Sequence, residues 1–260
     1  MSEKGLFHRA WMATPDWIFR AIGAGIFLAL IGFEVWWFVD EAGRKKGGIQ
    51  EAFWSIDRFW EFPDNTRLNL LIYGRLLVLL TFVIIALSFI VRMPPLKRAS
   101  RPREIVVPLI AALWPMFPFM LKNAWFKIDE AGARQYAAFM FDEHMQFYRF
   151  AIGSTLVVVG NALDVWAYSV LCRSLSVVAE ARELKVTGPY RVVRHPVYLG
   201  QIVAQCGLWL FFAPISWIWI TFFACFVAMQ LYRSKVEDDV LEQAFGDRYR
   251  EWKRKTLWFF

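Results

Sequence analysis

Most of the residues that could do chemistry fall in one short stretch, Thr187-Gly188-Pro189-Tyr190-Arg191-Val192-Val193-Arg194-His195-Pro196-Val197-Tyr198-Leu199-Gly200, between two long apolar runs. Gly188-Pro189 and Pro196 punctuate its backbone. Each proline fixes its own φ and restricts the residue before it, so an ordered turn is expected. The sequence becomes apolar directly after Pro196, which suits the first turn of a membrane helix, where the missing N–H costs nothing. Arg191, Arg194 and His195 then sit at the membrane surface beside a helix N-terminus, whose unpaired N–H groups and positive dipole end favour an anionic ligand group. The same placement also fits plain cationic anchors flanking a membrane helix.

Gly188-Pro189-Tyr190-Arg191, Arg194-His195-Pro196, Tyr198 and Gly200 match the motif of the isoprenylcysteine carboxyl methyltransferase family, which also includes membrane phospholipid N-methyltransferases. Arg233, Glu237-Asp238, Leu241, Phe245-Gly246, Tyr249 and Trp252 resemble the second block of that family. Arg173-Ser174-Leu175-Ser176 resembles the segment that precedes its histidine motif. The resemblance covers roughly residues 150 to 255.

It implies S-adenosylmethionine as cofactor, with Tyr190, Arg194, His195, Pro196, Tyr198, Leu199, Glu237 and Asp238 as its contacts. It places Arg173, Arg233 and Glu237 nearest the reacting group. It also implies a lipophilic acceptor that enters laterally from the bilayer, with carboxyl O-methyl transfer favoured over N-methyl transfer. Two departures leave substrate handling open. The second acidic residue is Asp238, one methylene shorter than the usual glutamate, and the chain runs to Thr256-Leu257-Trp258-Phe259-Phe260 in place of a basic, proline-containing tail. An NADPH-dependent membrane reductase of the sterol-reductase type is the alternative, since such enzymes share the architecture and a His-Pro motif; Glu237-Asp238 argues for the methyltransferase. A non-enzymatic membrane scaffold leaves both blocks without a purpose.

The residue types suit the cofactor that the resemblance implies. Tyr190, Arg191, Arg194 and His195 offer donors to a carboxylate. Glu237 and Asp238 offer acceptors to an ammonium, and Tyr198 with the C-terminal aromatics offers apolar surface to a ring. A carboxylate acceptor is already nucleophilic, so catalysis would be mainly positioning and desolvation. An amine acceptor must give up a proton, with His195 or Glu237 as the candidates.

The chain of 260 residues is 58% hydrophobic and 18% aromatic, which points to an all-α, polytopic transmembrane bundle. Apolar runs at about 17–39, 70–91, 105–121 and 147–171, and a long run from 197 to 232 broken at Ala213-Pro214, predict five or six spans ending in a helical hairpin. Pro108, Pro115 and Pro118 should kink or break the third run. Between runs, most of Ile49, Phe53, Trp54, Ile56, Phe59 and Trp60 fall on one helical face, which fits an interfacial amphipathic helix and equally a helix packed on the rest of the protein.

The loop carrying Arg92, Lys97, Arg98, Arg101 and Arg103 is strongly basic, so it is expected to be cytoplasmic, with residues 172–196 and the tail Arg248–Lys255 on the same side. The net charge of +7 then fits an anionic inner membrane surface, with no nucleic-acid partner implied. The expected organisation is an N-terminal membrane module at 1–145 and a methyltransferase-like core at 146–260. Cys172, Cys206, Cys225, His8, His144 and His195 show no metal-ligand spacing, so no metal is expected. Glu34, Arg75, Asn161 and Asp164 lie inside runs where ionisable groups usually face a partner or a cavity. Gln201 and Gln205 share a face just after the motif, positioned to look into a site or to bond between helices.

Overall fold

A computed structural model describes residues 11–44, 64–126, 128–140 and 146–258. The chain forms α1 (Asp16–Arg44), α2 (Asp64–Val91), α3 (Pro102–Leu113), α4 (Phe117–Phe126), α5 (Glu130–Met140) and α6 (Phe147–Leu171). After a long irregular segment come α7 (Pro196–Cys206), α8 (Trp217–Phe245) and α9 (Asp247–Lys255). Among the described residues the only β pairing is two isolated bridges, so the fold is all-α as expected. The amphipathic segment expected around 49–60, with His8 and His144, lies outside the described residues, as does the side chain of Arg75.

Two of the expected spans, Asp16–Trp36 and Phe147–Ser174, are long and apolar enough to cross a membrane by themselves; Leu76–Val91 and Pro196–Phe212 are shorter apolar helical stretches. The third expected run is not one helix. It breaks at a single 3-10 turn, Trp114–Met116, between α3 and α4, because Pro115 supplies no N–H there. In the final run α7 loosens into a π-helical turn over Gly207–Phe212. The chain then restarts at Ser216, whose Oγ accepts from the Ile218 N–H at 3.2 Å. The hairpin expected at Ala213-Pro214 is therefore formed. It is tied to the start of α6 by Arg149, which donates to the Ala213 carbonyl at 2.8 Å.

What positions the C-terminal half is the seam between α6 and α7. A Cβ at Gly160 would lie 2.4 Å from the Ala204 nitrogen and 2.5 Å from the Gly200 oxygen, and one at Gly207 would lie 2.5 Å from the Gly153 oxygen. Backbone meets backbone here, as small residues permit between membrane helices. Gly160→Ala tests the seam with opposing signs. Helix propensity favours alanine by about 1 kcal/mol, whereas overpacking costs about 1 to 3 kcal/mol. A lowered thermal midpoint in detergent is expected, and a raised one would show that the helices separate freely.

The basic loop after α2 lies against the irregular segment after α6. The Met93 N–H donates to the Arg173 carbonyl at 2.8 Å, Leu96 and Ala181 pair at 2.8 Å, and the Ala179 N–H donates to the Glu104 carbonyl at 2.9 Å. Glu104 also folds back to accept from the Ser100 and Arg101 N–H groups at 2.7 and 3.0 Å, closing the first turn of α3. At the start of α1, Asp16 gathers Arg20 at 2.7 Å, Arg92 at 2.9 Å and Arg182 at 3.7 Å, and Arg182 also meets Glu180 at 2.7 Å. The two basic loops expected on one face thus share one end of the bundle, fastened to the N-terminal helix.

Candidate functional site

Gly188 opens the site from a φ of +58°, a conformation that favours glycine, and a Cβ there would lie 2.8 Å from Val170. The 3-10 turn Gly188–Arg191 that follows drives Tyr190 inward, where its carbonyl accepts from Trp252 Nε1 at 3.0 Å. Burial pushes the Tyr190 phenol well above its usual range, reinforced by the charge of Glu237, so it stays neutral. Arg191 remains exposed, and Arg194 and His195 are carried inward to the start of α7.

Across from them stands α8, with Glu237 and Asp238 on adjacent faces. Asp238 is 2% exposed and accepts from four directions. Arg194 reaches it at 2.9 Å, His195 Nε2 at 2.7 Å and Lys253 Nζ at 3.4 Å, and the Tyr249 hydroxyl donates to it as well. Burial alone would raise this carboxyl. The hydrogen bond and charge of His195, the Tyr249 hydroxyl and the Arg194 charge outweigh it and hold Asp238 at about 2. With Asp238 ionised, His195 Nε2 must carry the proton it donates. Burial, then the neighbouring Asp238 charge, push the Tyr249 phenol upward, so it remains a donor.

Tyr249 reaches back because Gly246, at a φ of +54°, ends α8 and reverses the chain into α9. This turn is the physical content of the Phe245-Gly246 pair read in the sequence.

Glu237 is different. Its side chain is 31% exposed, it accepts a hydrogen bond from the Tyr198 hydroxyl, and its Oε2 stands 3.7 Å from His195 Nδ1. His195 stacks on Tyr198 at 5.3 Å with an interplanar angle of 11°, and the Arg233 guanidinium lies 4.7 Å from the centre of the Tyr198 ring. Arg233 donates to the Val177 carbonyl at 3.0 Å, while its buried Nε meets no acceptor among the described residues. Pro196 is the first residue of α7 and Leu199 sits half-buried on its first full turn.

The structure therefore brings Tyr190, Arg194, His195, Tyr198, Arg233, Glu237 and Asp238 together. Arg173 stands apart, its side chain exposed on the turn after α6 and close enough to act on Glu183. Arg194 and His195, read in the sequence as donors to a ligand carboxylate, are turned onto Asp238.

The C-terminal aromatics are expected to offer ring surface at the site, and the structure shows how the tail is held there. The Leu257 N–H donates to the Val192 carbonyl at 2.8 Å, and the Arg194 N–H donates to Leu257 at 3.0 Å. Trp258 is then held edge-on to His195 at 5.2 Å, its Nε1 donating to Ser234 Oγ at 2.8 Å. The alternation of Leu257 and Trp258 after a basic helix was the available signal, but it does not say what the tail pairs with. Lys253 and Tyr249 as partners of Asp238 were equally out of reach.

Of the groups an S-adenosylmethionine amino acid moiety would need, Glu237 presents an accessible acceptor for an ammonium, whereas the partnerless Arg233 Nε is a buried donor beneath it. Comparison with known families matches residues 148–248 to the family described as phospholipid methyltransferase, a segment that includes every one of these residues except the α9 and tail contacts beyond it. No curated protein matches the chain.

Proposed function

Since residues 148–248 form a phospholipid methyltransferase domain, within the isoprenylcysteine and phospholipid methyltransferase family, we propose that the chain is an integral membrane methyltransferase that uses S-adenosylmethionine on a lipophilic acceptor. The observation that carries this reading is the contrast between the two acidic residues of α8. Asp238 is enclosed by four donors, and Glu237 stays accessible beside Tyr198 and Arg233.

In this reading S-adenosylmethionine supplies an electrophilic methyl group when bound. Glu237 holds its ammonium, Arg233 and the free N–H groups at the start of α7 face its carboxylate, and the ring surfaces of Tyr198 and Trp258 exclude water. Asp238 fixes His195 and Arg194 so that the wall under Tyr198 does not move. Catalysis is then chiefly orientation and desolvation. The positive loops after α2 and after α6 support a reading in which this end of the bundle faces the cytoplasm, with a soluble cofactor arriving from one side and the lipid from the other. Five or six crossings with an N-terminal module at 1–145 remain our assignment of topology.

Calorimetry on the detergent-solubilised protein tests the reading. Micromolar binding of S-adenosylmethionine and of its demethylated product is expected, with none of NADPH. Binding of NADPH alone would turn the assignment to the reductase class.

A further inference from the structure

Arg233 is held from below by a stretch of chain that has no regular structure. Among the described residues, the acceptor that its guanidinium meets is the Val177 carbonyl at 3.0 Å, and its central carbon lies 4.7 Å from the centre of the Tyr198 ring. Residues 175–187 form no helix. A segment without a ladder of its own takes the position of its carbonyls from outside partners. Where those partners hold Val177 therefore decides where Arg233 points.

The partners come in large part from outside the matched domain, which begins at residue 148. Leu175 is buried in one apolar cluster with Ala24 of α1 and with Ile85 and Phe89 of α2, and Val177 packs against that cluster. The Ala179 N–H donates to the Glu104 carbonyl at 2.9 Å. The Ser176 hydroxyl donates to Glu180 Oε2 at 3.1 Å, the same oxygen takes Arg182 at 2.7 Å, and Arg182 stands 3.7 Å from Asp16 at the start of α1. A continuous line of polar contacts thus runs from Asp16 to the residue before Val177.

The charges along this line are finely divided. Arg20, Arg92 and Arg182 share two carboxylates, Asp16 and Glu180. Arg92 and Arg182 are both buried and within electrostatic range of each other, so the pair depends on Asp16 between them. Without that charge the two guanidiniums repel, and Arg182 keeps only Glu180 and the Met93 carbonyl. We propose that Asp16 is a positioning residue for Arg233: through Arg182, Glu180 and Ser176, the first helix sets the Val177 carbonyl and with it the guanidinium over Tyr198.

The inference rests on the methyltransferase reading and gives the N-terminal helices a task within it. An ionic lock that served stability alone would lower the unfolding midpoint and leave the affinity of the folded protein untouched. A lock that aims Arg233 changes affinity below the midpoint as well. Contiguity of contacts does not by itself establish coupling, so the coupling is what must be measured.

The full chain in phosphatidylcholine nanodiscs, held well below its unfolding midpoint, is titrated with S-adenosylmethionine by calorimetry. Asp16→Asn should weaken binding by about 3- to 30-fold, and Asp16→Glu should restore most of it. Ser176→Ala, which leaves the Asp16 cluster in place, should weaken binding within the same range. Arg233→Lys combined with Asp16→Asn should bind no more weakly than Arg233→Lys alone, because Asp16 acts through Arg233. Asp239→Asn breaks the exposed Arg103–Asp239 pair at 3.3 Å and should leave affinity unchanged. Hydrogen exchange over residues 174–183 gives a readout without cofactor, and Asp16→Asn should speed it. Wild-type affinity in Asp16→Asn or in Ser176→Ala, additive losses in the double variant, or unchanged exchange overturns the positioning role; Ser176→Ala decides the matter where Asp16→Asn does not fold. A wild-type protein that binds no S-adenosylmethionine, while Asp16→Asn still speeds exchange, overturns the methyltransferase reading and the positioning role with it, leaving only a structural lock.

Discussion

Asp238→Ala is expected to destabilise the protein by about 3 to 5 kcal/mol, because it removes one member of a buried ionic cluster and leaves the others behind. Arg194 at 2.9 Å and His195 at 2.7 Å would lose their acceptor inside a wall that water does not reach, and the Tyr249 hydroxyl would be left buried without one. The lost contacts join three separate parts of the chain: the start of α7, the middle of α8 and the reversed helix α9. Thermal unfolding in detergent should show a midpoint lowered on the order of 10 °C, and Asp238→Asn, which keeps one acceptor oxygen, should fall between. A wild-type midpoint for Asp238→Ala would mean that the cluster holds nothing together.

The same cluster sets a pH dependence with a definite sign. Asp238 is depressed from 3.8 to about 2, so its folded form binds a proton less readily than its unfolded form. Its contribution, about 2 kcal/mol by linkage, is fully present above about pH 4 and is lost as the pH falls from there through about 2.

Part of this was legible beforehand. His195-Pro196 and Glu237-Asp238 stand out because proline punctuation, charge and a sudden return to apolar residues are local signals. The inequality of the acidic pair was legible in principle too, since neighbours on a helix point about 100° apart and cannot share one environment. Which of them faces inward was not, because it depends on Arg194, Lys253 and Tyr249 arriving from segments distant in sequence or beyond a chain reversal. The tail is the same case: the Val193–Leu257 bridge joins residues with no common periodicity. Nothing local marks Asp16 in the sequence, and only the assembled loops reveal Arg92 and Arg182 converging on it. Gly160, Gly200 and Gly207 gave no helical stop because the helices pass through them; what those glycines serve is a contact between helices.

Glu237→Gln should weaken S-adenosylmethionine binding by roughly 30- to 100-fold while leaving thermal stability close to wild type. The substitution keeps the shape and can still accept from Tyr198, but it removes the negative charge at the one acidic position of the pair that ligands can reach, its side chain 31% exposed against 3% for Asp238. Surface-accessible changes of this kind move stability by about half a kcal/mol or less, so binding and folding should separate cleanly between the two acidic variants. The demethylated product adds a second discrimination. It retains the ammonium and lacks the sulfonium charge, so equal weakening of both ligands places Glu237 on the ammonium, whereas weakening of the methyl donor alone places it beside the sulfonium. Tyr198→Phe should show a smaller loss in the same direction, since it frees a Glu237 oxygen and removes the hydroxyl that aims it. Unchanged affinity for both ligands in Glu237→Gln would remove the accessible carboxylate from the site and with it the arrangement on which the donor assignment rests.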